Sequence, residues 1–251
     1  MQRNCGYGMI SLKEDHPPLI QLSDFFFVLW KGVNFMSKQY VIVIGRKYGS
    51  GGRKIGEALS EKLGIPLYDK TILGMVAEEQ DISDQRIREM DEYLNAHRFK
   101  NIGLQLKKAI VAPHYLFETH PDGILDREKV YEWQSDVIRR LAEKGPCVIV
   151  GRCADEVLKD HPNLISIFIT APMAAREERI KALYPDLQRE KYMTYSQYIN
   201  QTDRLRAYYY NYHTGRDWGS MSNYDLILDS SKLGIEKTAD LLADYLKYRI
   251  E

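Results

Sequence analysis

Short apolar runs alternate with segments of helical periodicity between residues 40 and 250. The runs that predict the main strands are Tyr40–Ile44, Cys147–Val150, Leu164–Thr170 and Tyr224–Leu228. A run that is apolar throughout, such as Cys147–Val150, is expected in a parallel sheet covered by helices on both faces. The alternation therefore predicts an α/β domain, built on a doubly wound parallel sheet with right-handed crossovers.

The first strand leads into a glycine-rich loop and then into a helix. The glycines of this loop are Gly45, Gly49, Gly51 and Gly52. In the helix, Ile55, Leu59 and Leu63 share one face, and Gly64 supplies a natural C-terminal stop. A second, short strand is predicted to end at Asp69. Glycines let backbone N–H groups converge on an anion, and a helix N-terminus favours negative charge, so this order predicts phosphate binding.

The loop departs from the standard phosphate-binding motif, in which a Lys and then a Ser or Thr follow the last glycine. Here Arg53 and Lys54 follow, so either could supply the positive charge, and the position of the motif's Lys falls at Gly52 or is displaced to Arg53. Ser50 is the one hydroxyl between Gly49 and Gly52. A glycine-rich turn that binds no ligand is the alternative. The residues predicted to bind the phosphates of ATP are Gly49, Ser50, Gly51, Gly52, Arg53 and Lys54.

The middle of the chain is polar and helical in pattern. Residues 75–144 are predicted to form a helical insert, with helices from Asp81 to Leu94, near Ile102–Ile110 and over Arg127–Lys144. In the last of these, one face carries Val130, Trp133, Val137, Ile138 and Leu141. Residues 184–206 are polar and are predicted to form a lid. Helices are also expected over Met173–Leu183 and Ile235–Arg249.

The first 35 residues differ from the rest of the chain. They carry a proline pair, Pro17-Pro18, and one aromatic burst, Phe25–Trp30, which is too short for a secretory signal. We predict a poorly ordered extension over residues 1–35 and a compact domain over residues 36–251. The alternative is a docking segment that buries the aromatic burst.

Composition limits the classes of partner. Lys plus Arg and Asp plus Glu both number 35, so no net charge attracts the chain to nucleic acid or to a membrane surface. No apolar run approaches the roughly 18 residues that a membrane helix needs. The cysteines, Cys5, Cys147 and Cys153, have no metal-ligand spacing and predict reduced thiols in a cytoplasmic protein.

Charged residues recur where strands are predicted to end. Ligands of parallel sheets bind at the carboxyl ends of strands, where Asp69 and Arg152 follow their strands. Arg176 and Arg179 lie three apart on one helix, and so share a face. Convergent arginines around a glycine loop suit phosphoryl transfer, which needs positive charge and alignment. Alternatively, Arg176 and Arg179 lie on a solvated helix face and Asp69 is a strand-end cap.

Several segments together resemble the cytidylate kinase-like family, a branch of the P-loop nucleoside monophosphate kinases. They are residues 41–70, 148–158, 167–180, 203–219 and 224–236. The Gly-Arg-Asp turn that helps hold the acceptor nucleotide in bacterial cytidylate kinases corresponds to Gly151-Arg152-Cys153 here. Their Asp-Arg-x-Arg stretch corresponds to residues 203–206, so the resemblance implies that Asp203 and Arg206 touch the ribose and phosphate of the acceptor.

The resemblance implies a phosphotransferase that moves the γ-phosphate of ATP, with Mg²⁺, to a nucleoside monophosphate, CMP or dCMP first. The residues expected to act in catalysis are Arg53, Arg152, Arg176, Arg179 and Asp69, with Asp69, Arg152, Asp203 and Arg206 on the acceptor. Ser50 or Asp69 are candidate magnesium ligands. The alternatives are a nucleotide-binding regulatory protein that has lost catalysis and a small-molecule kinase with a non-nucleotide acceptor.

Overall fold

A five-stranded, fully parallel sheet forms the centre of the protein. The computed structural model describes residues 39–83, 127–188 and 193–250, which belong to one compact unit. The strands, in chain order, are β1 Val41–Arg46, β2 Leu67–Tyr68, β3 Cys147–Val150, β4 Leu164–Thr170 and β5 Leu226–Asp229. Their order across the sheet is β2-β3-β1-β4-β5, so β1 lies in the middle. The predicted parallel α/β fold is confirmed.

The helices that the structure describes follow the predicted periodicity closely. They are α1 Gly52–Leu63, α2 Thr71–Glu79, α3 Arg127–Glu143, the short α4 Ala154–Val157, α5 Met173–Leu183, α6 Tyr195–Thr214 and α7 Ser230–Ile250, with a 3-10 turn at Met221–Asn223. Gly64 ends α1 in the left-handed conformation, as predicted. The last helix begins five residues earlier than predicted, and Gly234 interrupts its first turns with a non-helical conformation.

Helices cover both faces of the sheet. Successive residues of a strand point to opposite faces. On one face, Val41 and Val43 belong to a buried cluster that contains residues of α2 and α3. On the other, α1 lies so close that a Cβ added at Gly56 would sit 3.3 Å from Cδ1 of Ile44. The predicted apolar face of α3 is confirmed, since Val130, Val137, Ile138 and Leu141 are buried and Trp133 packs against the same cluster.

Part of the predicted lid belongs to a long helix. Thr194 caps α6, because its side chain accepts a hydrogen bond from the amide of Gln197 while the Gln197 side chain accepts one from the amide of Thr194. Tyr198 and Ile199 are buried, which fixes the start of this helix against the protein. Residues 195–206 are therefore helical, and the assignment of residues 184–206 as a lid stays a prediction.

Three predictions fall outside the described residues. They are the extension over residues 1–35, the helix predicted to end at Leu94 and the helix predicted near Ile102–Ile110. The helical insert is described only at its two ends, by α2 and α3. None of the helices in the described part of the chain is both long enough and apolar enough to cross a bilayer.

Candidate active site

The glycine loop joins the carboxyl end of β1 to the first residue of α1. Gly49 and Gly51 adopt φ values of 76° and 81°, a left-handed conformation that favours glycine. Gly51 is the N-cap of α1, and its carbonyl accepts a hydrogen bond from the Ile55 amide at 2.9 Å. Ser50 is fully buried, and its hydroxyl is 3.4 Å from the amide of Gly52. The loop therefore has the tight bend before a helix N-terminus that the sequence predicts.

Arg179 of α5 holds the loop through its carbonyl groups. Its Nη1 donates to the carbonyl oxygens of Gly49 at 3.3 Å and Ser50 at 2.8 Å. The same nitrogen donates to Oγ of Ser230, and Nη2 donates to the Ser230 carbonyl at 3.2 Å. The Ser230 hydroxyl in turn donates to the carbonyl of Ser50. One guanidinium thus ties the loop to the start of α7.

Arg176 holds the other end of the loop. Only 5% of this residue is exposed, and its Nη1 donates to the Tyr48 carbonyl at 3.3 Å and to Oδ2 of Asp203 at 2.6 Å. The second oxygen of Asp203 accepts a hydrogen bond from the Tyr48 amide at 2.7 Å. Burial raises the pKa of Asp203, and the adjacent Arg176 opposes this shift. We call Arg176 and Arg179 the loop arginines, because their contacts hold the loop in place.

A polar pocket lies beside the loop, at the carboxyl ends of β1 and β3. It is lined by Gly45, Arg46, Gly151, Arg152, Cys153, Asp155, Arg206, Tyr209, Tyr210, Trp218 and Tyr224. The structure brings two predicted residues together here, Arg152 and Arg206. It adds Arg46, which the sequence pattern did not single out, although Arg46 meets the criterion that drew attention to Arg152, a charged residue at the carboxyl end of a strand. We call Arg46, Arg152 and Arg206 the pocket arginines.

The turn that carries Arg152 has an uncommon backbone. Gly151, Arg152 and Cys153 have successive φ values of 76°, 62° and 53°. Positive φ is uncommon for residues other than glycine and concentrates at functional sites, where the surrounding structure enforces it. The Gly151 amide donates to the Ile44 carbonyl at 3.0 Å, and its own carbonyl accepts from the Ala154 amide at 3.1 Å. Cys153 is buried, which raises its pKa and makes this thiol unreactive.

The pocket arginines repel one another. Burial lowers the pKa of Arg206 below its usual range, and the positive charges of Arg46 and Arg152 lower it further, while Asp203 and Asp69 oppose the shift. An arginine remains protonated near neutral pH, so the three side chains keep their charges. A bound anion would relieve this repulsion, which makes the pocket suitable for a phosphate or carboxylate group.

Asp69 connects the pocket to the start of α1. Its Oδ1 lies 3.5 Å from Nη2 of Arg46, and its Oδ2 lies 3.4 Å from Nε of Arg53. Arg53 is half exposed and also pairs with Glu57 at 3.1 Å, one helical turn along. Lys54 is exposed and pairs with the same Glu57. Lys54 thus points along α1, whereas Arg53 also contacts Asp69, and the part of both residues in ATP binding stays a prediction.

Aromatic and carboxyl groups form the rest of the pocket. The Tyr210 hydroxyl donates to Oδ2 of Asp155 at 2.6 Å. Burial raises the pKa of Asp155, and the Tyr210 hydrogen bond opposes this shift. The buried Gln134 donates from Nε2 to the Arg152 carbonyl and to the Tyr209 hydroxyl, at 3.3 and 3.2 Å. Asp155 and Gln134 were not predicted, because each reaches the site through contacts that are distant in sequence.

The donor atoms near the loop suit a magnesium ion that arrives with a nucleotide. Mg²⁺ is usually held by substrate phosphates and one or two carboxylates. Among residues 39–83, 127–188 and 193–250, no three His, Cys, Asp or Glu side chains form a group that could hold a metal ion. Asp69 is a carboxylate at the edge of the loop, and Ser50 supplies a hydroxyl inside it. These oxygens fit the chemistry of the ion, and both assignments stay predictions.

Comparison with known proteins gives matches to the part of the chain that contains the glycine loop and the pocket. Residues 41–232 match the model of the cytidylate kinase-like family. Cytidylate kinases of Methanosarcina acetivorans and Methanosarcina barkeri are 31% and 29% identical over 98 residues, which is 38% of this chain. The matched segment spans about half, 51%, of the length of these curated relatives.

A solved structure covers nearly all of the same domain. An uncharacterized protein from Eubacterium ventriosum is 26% identical, with a TM-score of 0.54 over 83% of this chain and 98% of that one. Since the family model spans most of the sequence and includes the glycine loop, the pocket turn and the start of α7, the chain belongs to the cytidylate kinase-like family.

Proposed function

We propose that the protein transfers the γ-phosphate of ATP to a nucleoside monophosphate, with CMP or dCMP as the preferred acceptors. The observation that carries this proposal is the pocket where Arg46, Arg152 and Arg206 meet beside the glycine loop. Phosphoryl transfer places two phosphate groups in line and spreads negative charge between them. A phosphate-binding loop adjoining a strongly positive pocket supplies the two binding regions that such a reaction needs.

On the donor side, the amides of Gly49–Gly52 would hold the β-phosphate, with Arg53 and Lys54 at the edge of the site. Mg²⁺ would bind through the ATP phosphates and Asp69 or Ser50, and it would neutralise charge between the β- and γ-phosphates. Arg176 and Arg179 would contribute to catalysis by fixing the loop, because they donate hydrogen bonds to loop carbonyls and neighbouring polar groups.

On the acceptor side, Arg152 and Arg206 would bind the phosphate, and Asp69 and Asp203 would assist at the edges of the site. Asp155 offers a carboxylate oxygen deep in the pocket, and carboxylates accept hydrogen bonds from the exocyclic amine of cytosine. Uracil carries a carbonyl at that position, and a carbonyl cannot donate a hydrogen bond to the carboxylate of Asp155. The aromatic side chains of Tyr209 and Trp218 supply apolar surface for the base.

A coupled assay with purified protein tests this proposal directly. ATP and MgCl₂ would be supplied with CMP, dCMP, UMP, AMP or GMP, and ADP release would be followed. The expected result is turnover with CMP or dCMP and a kcat/KM for UMP about 10- to 100-fold lower, the usual cost of one unpaired polar group. Absence of turnover with every monophosphate would reject the proposal.

A second candidate is a regulatory protein that binds a nucleotide without turning it over. It is favoured by Gly52, which stands where the standard motif has a lysine, and by the pairing of Arg53 with Glu57 and Asp69. Calorimetric titration with ATP and Mg²⁺ separates the two candidates. Tight binding of ATP without turnover of any acceptor would favour the regulatory role.

A further inference from the structure

The space beside Gly52 is already filled by another side chain. When Gly51 is aligned with the last glycine of the standard motif, Gly52 stands where that motif has the lysine that reaches the β- and γ-phosphates. Here, a Cβ added at Gly52 would lie 2.6 Å from Cβ of Arg46 and 3.2 Å from its Cγ. Real Cβ atoms essentially never come so close to another carbon. A lysine at position 52 and the present position of Arg46 therefore exclude one another.

A second glycine accommodates the other end of the same side chain. A Cβ added at Gly151 would lie 1.8 Å from Nη1 of Arg46 and 2.9 Å from its Cζ. The stem of Arg46 thus passes Gly52 of the loop, and its guanidinium passes Gly151 of the pocket turn. Two glycines from segments about 100 residues apart in the sequence leave room for one arginine.

The guanidinium of Arg46 lies where the loop adjoins the pocket. It lines the pocket together with Arg152 and Arg206, and its Nη2 is 3.5 Å from Asp69. The backbone of Arg46 is also held, since its carbonyl accepts a hydrogen bond from Nη1 of Arg206 at 3.1 Å. Its side chain is 18% exposed, so a ligand in the pocket can reach it.

We propose that Arg46 supplies the phosphate-binding charge that a lysine at position 52 supplies in the standard motif. The charge comes from the end of β1 instead of the start of α1, and it reaches the phosphoryl group at the boundary between donor and acceptor. A guanidinium can hold two phosphate oxygens at once, which a lysine cannot do with the same geometry. This inference rests on the proposed function, because it assigns a residue to the donor phosphates.

The test compares nucleotide binding by variants at positions 46 and 52, measured by calorimetric titration with ADP and with a non-hydrolysable ATP analogue, without an acceptor. Arg46→Ala and Arg46→Gln are expected to bind about 10- to 100-fold more weakly, because each loses a charge-assisted hydrogen bond. Arg46→Lys keeps the charge and is expected to stay within about tenfold of the wild type.

A double variant, in which the charge is moved from position 46 to position 52, is the more stringent part of the test. Gly52→Lys alone is expected to lose binding, since the new side chain collides with Arg46. Combining it with Arg46→Gly removes the contact with Arg46 and leaves the Cβ of Ile169, 3.2 Å away, to adjust by a few tenths of an ångström, so the double variant is expected to recover binding to within about tenfold of the wild type. Arg139→Ala, at an exposed ion pair on α3, serves as the matched control and should leave binding unchanged.

The outcomes separate this inference from the proposed function. If the wild type binds nucleotide and Arg46→Gln binds equally well, the assignment of Arg46 is wrong while the kinase proposal stands. If the wild type binds no nucleotide, the proposed kinase function is rejected, and the assignment of Arg46 is rejected with it. Circular dichroism checks the folding of each variant, and should Arg46→Ala not fold, the contrast between Arg46→Lys and Arg46→Gln decides the question.

Discussion

The loop arginines and the pocket arginines surround the same glycine loop and differ in their surroundings. Arg176 and Arg179 donate to loop carbonyls, to Ser230 and to a carboxylate that itself binds the loop backbone. In the pocket, three guanidinium groups converge, and the pKa of Arg206 is lowered by burial and further by its positive neighbours. Arginines that donate to several loop carbonyls and a carboxylate stabilise a structure, whereas arginines whose positive charges lie close together favour the binding of an anion.

The sequence does not reveal this difference, because it does not show which carbonyl and carboxylate groups surround each of the five arginines. What separates them is the supply of oxygen atoms around each side chain, which tertiary structure sets. Substitution should therefore act on stability in one set and on ligand binding in the other. The first two of the following three predictions test that division, and the third tests the carboxylate of the same pocket.

The largest effect is expected for Arg176→Ala, which leaves the carboxylate of Asp203 buried without its cation. Breaking a buried ion pair from one side typically costs about 3–5 kcal/mol in the free energy of unfolding. Denaturant unfolding at pH 7 measures this loss. Arg204→Ala, at an exposed position of α6, is the matched control and should change stability by less than about 0.5 kcal/mol. Equal stability of the two variants would refute a structural role for Arg176.

An intermediate effect is expected for Arg152→Ala, and it should fall on activity. Loss of one charged contact to the acceptor phosphate would lower kcat/KM for the acceptor about 10- to 100-fold, mostly through KM. The free energy of unfolding should change by less than about 1 kcal/mol, because removing Arg152 also relieves repulsion on Arg206. A loss of stability as large as that of Arg176→Ala, with an unchanged KM, would show that the two sets do not differ.

The smallest effect on stability is expected for Asp155→Asn. The raised pKa of Asp155 means that the folded protein holds its proton more tightly than the unfolded chain, so ionisation of this buried carboxyl destabilises the fold. The destabilisation begins as pH rises through the ordinary value of 3.8 and is complete above the raised pKa. Asn still accepts the hydrogen bond of Tyr210 and carries no charge.

The variant is therefore expected to be more stable than the wild type at pH 7, by about 0.5–1 kcal/mol, and the gain should disappear as pH falls toward 4. Thermal unfolding between pH 4 and pH 8 measures the difference. Activity with CMP should decrease. The variant is expected to have a higher KM for CMP and a weaker preference for CMP over UMP. A variant that is less stable at pH 7 would contradict this account of Asp155.

Most of the fold could be predicted from the chain because its strands are pure apolar runs between turn residues. The bounds of β3 and β4 agree with prediction, since Gly145-Pro146 and Gly151 flank one strand and Ala171-Pro172 follows the other. The polar composition of residues 184–206 indicates a lid and does not reveal that a helix begins at Tyr195. Its stability comes from a capping box and from tertiary burial of Tyr198 and Ile199, which local periodicity does not record.

The site could be predicted only in part. Gly49–Gly52 and Arg152 lie at or beside the pocket, because the carboxyl ends of parallel strands are fixed by the fold. Arg206, which the family resemblance indicated, reaches the pocket from α6. The contacts of Arg176 and Asp203 with Tyr48 join residues 128 and 155 positions apart, and no spacing rule predicts them. Arg46 stayed hidden for a different reason. The position of its side chain depends on the lack of a side chain at Gly52 and at Gly151. Only the folded structure shows that these two glycines lie against Arg46.

The hydrogen bonds from Arg179 and Ser230 to the glycine loop have a consequence for the kinetics of binding. A loop already fixed by internal donors needs no ordering before it receives a ligand, so its preorganisation removes an entropic barrier to association. Encounter with a nucleotide should then be governed by diffusion and long-range attraction, and its rate should fall as ionic strength rises.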